Sequence, residues 1–172
     1  MELQLYLLPR PYKQLILAFL FLLTSAVMVG LLYVYHTTAM QSPGIEQHYA
    51  GSAAHTENEN MDIPEHYPKP LSEMLMTTHN HLFGFAFIFV SLGFIFSMNT
   101  IIRGRWKIFL IVEPFLSTFL TFASIWALRY IHPLFSLVTI SMAILTYGAY
   151  FVMTGVIVYE LLFKGNQAYN QL

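Results

Sequence analysis

The stretch LFGFAFIFVSLGFIFSMNTII, residues 82–102, contains no charged side chain and no proline. Its length decides the class of fold. An α-helix rises about 1.5 Å per residue, so roughly 20 apolar residues cross the hydrocarbon core of a bilayer. Three further runs share this length and character: Leu15 to Tyr35, Ile108 to Leu128 and Leu134 to Phe163. Backbone groups in hydrocarbon must find partners within their own segment, so such runs are helices; a membrane strand needs only about 10 alternating residues. Composition agrees, because 56% of the 172 residues are hydrophobic and 10% charged, against about a quarter charged in a soluble domain. The expected fold is all-α: an integral membrane four-helix bundle in one domain. Its helices are expected over 14–36, 72–102, 107–130 and 134–163, with a mobile outer loop over 37–70. The first run follows Arg10 and Lys13 and exceeds a signal-peptide core, so it reads as a retained anchor.

Arg10, Lys13, Arg103, Arg105, Lys107 and Lys164 fall on one side of this bundle, and only Lys69 and Arg129 on the other. The positive-inside rule then puts both termini in the cytoplasm. One consequence is that all seven histidines, His36, His48, His55, His66, His79, His81 and His132, lie on the outer side. Four of them, His36, His79, His81 and His132, sit at helix ends, where a compact bundle can bring them into one layer. The absence of cysteine excludes disulfides, thiolate metal sites and thioether-attached haem.

Directly before residues 82–102 stands EMLMTTHNH, residues 73–81. His79 and His81 are two positions apart, about 200° around a helix axis, so they serve different neighbours rather than chelating one ion. Gly84 lies one turn below His81 and leaves room for a flat macrocycle. These residues point to a b-type haem held by imidazoles from two helices: His81 with His132 or His36, His79 as a substitute, and Arg129 beside a propionate. The alternative is that interfacial histidines cap helices and bind loop carbonyls. Met74 and Met76 add soft ligands to His36, His79, His81 and His132, a set that suits copper; zinc would need three or four converging nitrogen or oxygen ligands.

Only Glu113 and Glu160 are acidic or basic residues within the apolar runs. Intramembrane carboxylates are costly and mark function or pairing, so proton transfer is one expectation. A structural ion pair of Glu113 with Arg103, Arg105 or Lys107 is the other. Ser141, Gly148 and Gly155 recur every seven residues and form a small-residue face. Such faces mark close helix contact, and this one is expected to point inward. Ser72 is the expected N-cap of the second helix, with Glu73 in its first turn. No phosphate loop, nucleophile elbow, zinc-protease motif or basic nucleic-acid patch occurs. An electron-transfer or accessory subunit is therefore favoured over a self-contained enzyme.

The segment THNHLFGFAFIFVSLGFIF, residues 78–96, resembles small bacterial four-helix membrane proteins associated with respiratory electron transport, and in general plan membrane-anchored b-type cytochromes. The resemblance implies a multi-pass protein of the bacterial inner membrane. With the histidine layer, the expectation is a redox subunit binding haem b and passing electrons between quinol and an extracytoplasmic carrier such as a cytochrome. Two alternatives stand beside it: a non-catalytic structural subunit among other membrane subunits of a respiratory complex, and an outer-face copper or zinc protein.

Overall fold

The structure, a computed structural model, describes residues 4–52 and 66–164. Within them the chain is all-α and has no strand. The helices are α1 (Arg10–Thr38), α2 (Ser42–Ala50), α3 (Leu71–Ser97), α4 (Arg105–Tyr130) and α5 (Phe135–Tyr159); a π-helical turn, Glu160–Lys164, continues α5. By length and composition α1, α3, α4 and α5 can each cross a membrane. Their broad apolar surfaces, including Phe21, Leu22, Phe87, Phe94, Ile108 and Ile144, are exposed, as lipid-facing surfaces must be.

Hydrogen bonds between segments establish which ends meet. The Leu5 N–H donates to the Met98 carbonyl at 3.1 Å, and Lys164 Nζ donates to the Thr100 hydroxyl at 2.6 Å. Residues 4–8, the α3–α4 turn and the end of α5 thus share one end, here the basic end. At the other, the histidine end, the Ser42 and Ser136 hydroxyls are bonded and Arg129 Nε donates to the Lys69 carbonyl at 3.4 Å.

The principal core extends from the basic end up the bundle, from Leu5, Phe96, Ile157 and Leu161 through Leu20, Leu92 and Met153 to Val27, Phe89 and Tyr150. A smaller cluster of Met74, Phe122 and Ile125 lies toward the histidine end. The most extensive packing is α4 against α5, and it is partly polar. Ser117 bonds Thr146 at 2.7 Å and Ser124 bonds Thr139 at 2.8 Å. Small hydroxyl residues let the two backbones approach, and each cross-helix bond contributes about 0.6 kcal/mol in a membrane.

Four expectations are corrected here. The second apolar run does not stay helical to Ile102: α3 ends at Ser97, because the Asn99 side chain takes over the backbone's partners. Its amide donates to the Phe96 carbonyl, and its Oδ1 accepts from the Ile101 and Ile102 N–H groups at 3.1 and 2.8 Å. The N-cap of α3 is Pro70, in extended conformation and without a side-chain cap bond, while Ser72 lies inside the first turn; Glu73 is in that turn as expected. Residues 42–50 of the expected loop are helical. Pro43 suits a helix start, and Ile45 and Tyr49, four apart, face the bundle. Finally, Ser141, Gly148 and Gly155 face outward, not inward. The inner face of α5 is instead formed by Ser136, Thr139, Thr146, Tyr150, Met153 and Ile157, whose spacing of three and four suits a helix–helix seam.

Candidate functional site

Thr38, the last residue of α1, is followed by two residues with left-handed backbones, Ala39 (φ 51°) and Met40 (φ 54°). These turn the chain sharply onto α2. A Cβ at Gly44 would overlap the Thr38 carbonyl oxygen, so only glycine permits this approach. After α2, a clasp forms: Ser52 N–H donates to the His66 carbonyl at 3.0 Å, and Lys69 N–H to the Tyr49 carbonyl at 3.1 Å. Gly51 adopts φ 84° there, and a Cβ on it would meet the His66 carbonyl and Pro68. The clasp closes the described ends of the outer segment; His55 lies outside the described residues.

Along this end the histidines occupy separate environments. The Nδ1 of His81 bonds the Thr77 carbonyl at 2.8 Å; since a carbonyl only accepts, that nitrogen carries the proton and Nε2 of the neutral ring is left with a lone pair. The His81 ring packs on Phe122 with centroids 5.4 Å apart. His79 stacks on Phe83 instead, around the helix from His81, as the two-residue spacing requires. His132 Nδ1 accepts from the Leu134 N–H at 3.2 Å and so braces the α4–α5 turn. His36 packs edge-on against Tyr35 and shares with His66 a polar cleft of about 350 Å³, lined also by Gln41, Pro43 and Gln47. Among the described residues no three His, Asp or Glu side chains converge as a metal cage.

The other candidate residues are divided likewise. Met74 is 1% exposed and packs with Phe122 and Ile125, while Met76 is 64% exposed; the two thioethers point away from each other. Arg129 spans the Lys69 carbonyl and the Tyr130 ring. Beside Gly84 the structure leaves open space. Trp126 Nε1 donates to the Thr78 hydroxyl at 2.8 Å, tying α4 to α3 beside His79.

Sequence reasoning did not single out His48 and Tyr49 as a unit. Both lie on α2, with rings edge to face at 4.8 Å, and Lys69 Nζ lies over the Tyr49 ring. Burial pushes the His48 imidazole below its ordinary 6.5; Lys69 and His66 add to this and Glu73 opposes it. Burial, with Tyr33 adding, pushes the Tyr49 phenol up to about 12. The docked helix therefore favours neutral His48. Docking is at full strength above pH 6.5 and weakens as pH falls from there through the lower docked value, because the released imidazole takes up a proton first. Amide exchange of Ile45–Ala50, corrected for intrinsic rates, should be faster at about pH 5.5 than at about pH 7.5, and His48→Gln should abolish the difference. Equal protection at both pH values would rule this coupling out.

At the basic end Glu160 is fully buried, 0% exposed. Its two carboxylate oxygens accept from the Thr100 N–H at 2.8 Å and the Thr100 hydroxyl at 2.6 Å. The π-helical turn that starts at Glu160 also carries Lys164, whose Nζ reaches Thr100 and the Tyr6 ring. Glu113, in contrast, has no hydrogen-bond partner for its carboxyl group among the described residues. It is half-buried and its Oε2 is enclosed without a hydrogen bond. Lys107 donates to the Ser97 and Asn99 carbonyls, and Arg103 to the Thr100 carbonyl; these cations tie the α3–α4 turn. Glu113 and Glu160 thus belong to different surroundings.

No curated protein and no solved structure gives a significant match to the chain. The family model Aq_1264_TM, a transmembrane helical domain, matches residues 39–168. That span takes in α2 to α5 and both ends of the bundle, and the four apolar helices agree with it: the protein is a multi-pass membrane protein belonging to the transmembrane helical domain family Aq_1264_TM.

Proposed function

We propose that this chain is a non-catalytic membrane subunit that packs within a larger membrane assembly. The outward stripe of Ser141, Gly148 and Gly155 carries this reading. All three are exposed, and nothing lies within 4 Å of a Cβ built on either glycine. In hydrocarbon, exposed large apolar side chains need no explanation, whereas a heptad-spaced groove of small residues is the surface on which another helix packs closely. A second feature agrees with it: α1 buries only Leu20, Val27 and Thr38. Between α1 and α5 it leaves a groove of about 700 Å³ floored by Leu20 and Thr154. The respiratory setting and the bacterial inner membrane rest on the resemblance of residues 78–96.

Gly148→Leu with Gly155→Leu tests the reading, since the open space lets the isolated chain fold normally. In mild detergent extracts of native membranes, the wild-type chain is expected to migrate in a particle larger than its own monomer, and the double variant as the monomer. A monomeric wild type, or an intact particle with the double variant, overturns the proposal.

The second reading is haem b at the histidine end, supported by His81, whose Nδ1 is bonded to the Thr77 carbonyl, whose ring packs on Phe122, and which has the unfilled space beside Gly84 one turn further along α3. Hydrogen bonding of the other ring nitrogen to a carbonyl is how ligating histidines are usually oriented. The same extracts decide it: a Soret band lost with His81→Ala supports haem, and its absence under haem-replete expression removes it. Copper or zinc at this end would have to recruit His36 and His66 across their cleft, with Met74 and Met76 apart.

A further inference from the structure

We infer that Glu113 is the docking point for a partner transmembrane helix that carries an arginine or lysine at the same depth. The inference rests on the subunit reading above and specifies one contact in it. Glu113 lies eight residues into α4, about 12 Å along the axis from Arg105. Around it Phe109, Val112 and Leu116 are exposed and Glu113 itself is half-buried, so the residue stands at the edge of a lipid-facing flank with its Oε2 turned into the fold. Water is absent at this depth, and a carboxyl oxygen enclosed without a donor is costly there.

None of the described residues supplies that donor. Glu113 Oε2 is enclosed and unbonded, and Lys107 and Arg103 are spent on the carbonyls of the α3–α4 turn. A half-exposed carboxyl group with no donor among the described residues fits a side chain with several N–H groups, which a guanidinium or ammonium provides. The Ser141, Gly148 and Gly155 stripe accounts for close packing; Glu113 accounts for register, because a charged pair inside a membrane holds one depth only.

Glu113→Gln and Glu113→Leu test this in native membranes, with a hydrophobic carbodiimide as the probe of unpaired carboxyl groups. The assembled particle should fall at least about tenfold in both variants. Purified isolated chain should unfold at the same or a higher temperature with Glu113→Leu, since no internal bond is removed. Carbodiimide should label Glu113 in the stripped monomer at least about tenfold more than in the particle. A particle that survives Glu113→Leu, equal labelling in both forms, or an isolated chain destabilised by Glu113→Leu overturns the contact while leaving the subunit reading standing. Absence of any wild-type particle overturns both.

Discussion

Glu160→Ala is expected to lower the stability of the purified bundle by about 3 kcal/mol. The carboxylate is completely buried and takes both donors of Thr100. Alanine would leave the Thr100 N–H enclosed without an acceptor, and each bond to a charged group is worth about 1.5–3 kcal/mol. Lys164, which shares Thr100 and lies over Tyr6, would lose its neighbouring negative charge. The damage should therefore reach the segment of residues 4–8 and the α3–α4 turn. Glu160→Gln keeps one acceptor oxygen and should cost about 1 kcal/mol. Denaturant unfolding in detergent, followed by tryptophan fluorescence, measures both. If Glu160→Ala unfolded within about 0.5 kcal/mol of the wild type, the carboxylate would not be a structural tie, and its burial would need a different cause such as proton transfer.

A comparable loss is expected from Tyr150→Ala. Tyr150 is 1% exposed and the largest fully buried side chain. Its hydroxyl bonds Thr24 at 2.9 Å, a polar tie between α1 and α5. In water, deleting a buried aromatic ring costs about 3–5 kcal/mol. In a membrane the transfer part of that cost shrinks, because the unpacked ring still sits in hydrocarbon. The cavity beside Leu20, Val27 and Met153 remains, so about 3 kcal/mol is expected. Tyr150→Phe removes the hydroxyl alone and should cost about 1 kcal/mol. Hydrogen exchange along α1 provides the local reading: its protection should fall with Tyr150→Ala much more than that of α4. Unchanged α1 protection would mean that α1 is held by other contacts.

These two tests differ in how readable their residues were in advance. Glu160 stood out as an ionisable residue in an apolar run, but its partner did not. Thr100 lies sixty positions away in a turn, and the two meet only because the α3–α4 turn and the end of α5 reach the same end of the bundle. Glu113 stood out for the same reason, but among the described residues the expected ion pair does not form, and Asn99 ends α3 early. That draws Lys107 onto the Ser97 and Asn99 carbonyls. The stripe of Ser141, Gly148 and Gly155 was visible as a period of seven, yet its direction was not. Both faces of α5 carry small residues, and the inner one is set by Ser and Thr hydroxyls matched across α4.

By itself the sequence determined four membrane helices, which of their ends lie together, and the gathering of histidines at one of those ends. The reason is thermodynamic: in hydrocarbon an unpaired backbone group is too costly for any spanning form but a helix or a closed barrel, and continuous apolar runs of about 20 residues fit the helix. Only the tertiary structure decided what the side chains at those ends touch. His36, His79, His81 and His132 share an end but separate into a cleft, an aromatic stack, a Thr77 carbonyl bond and a turn brace. Helix rotation and close packing set such contacts over a few ångströms, and neither hydropathy nor spacing carries that information.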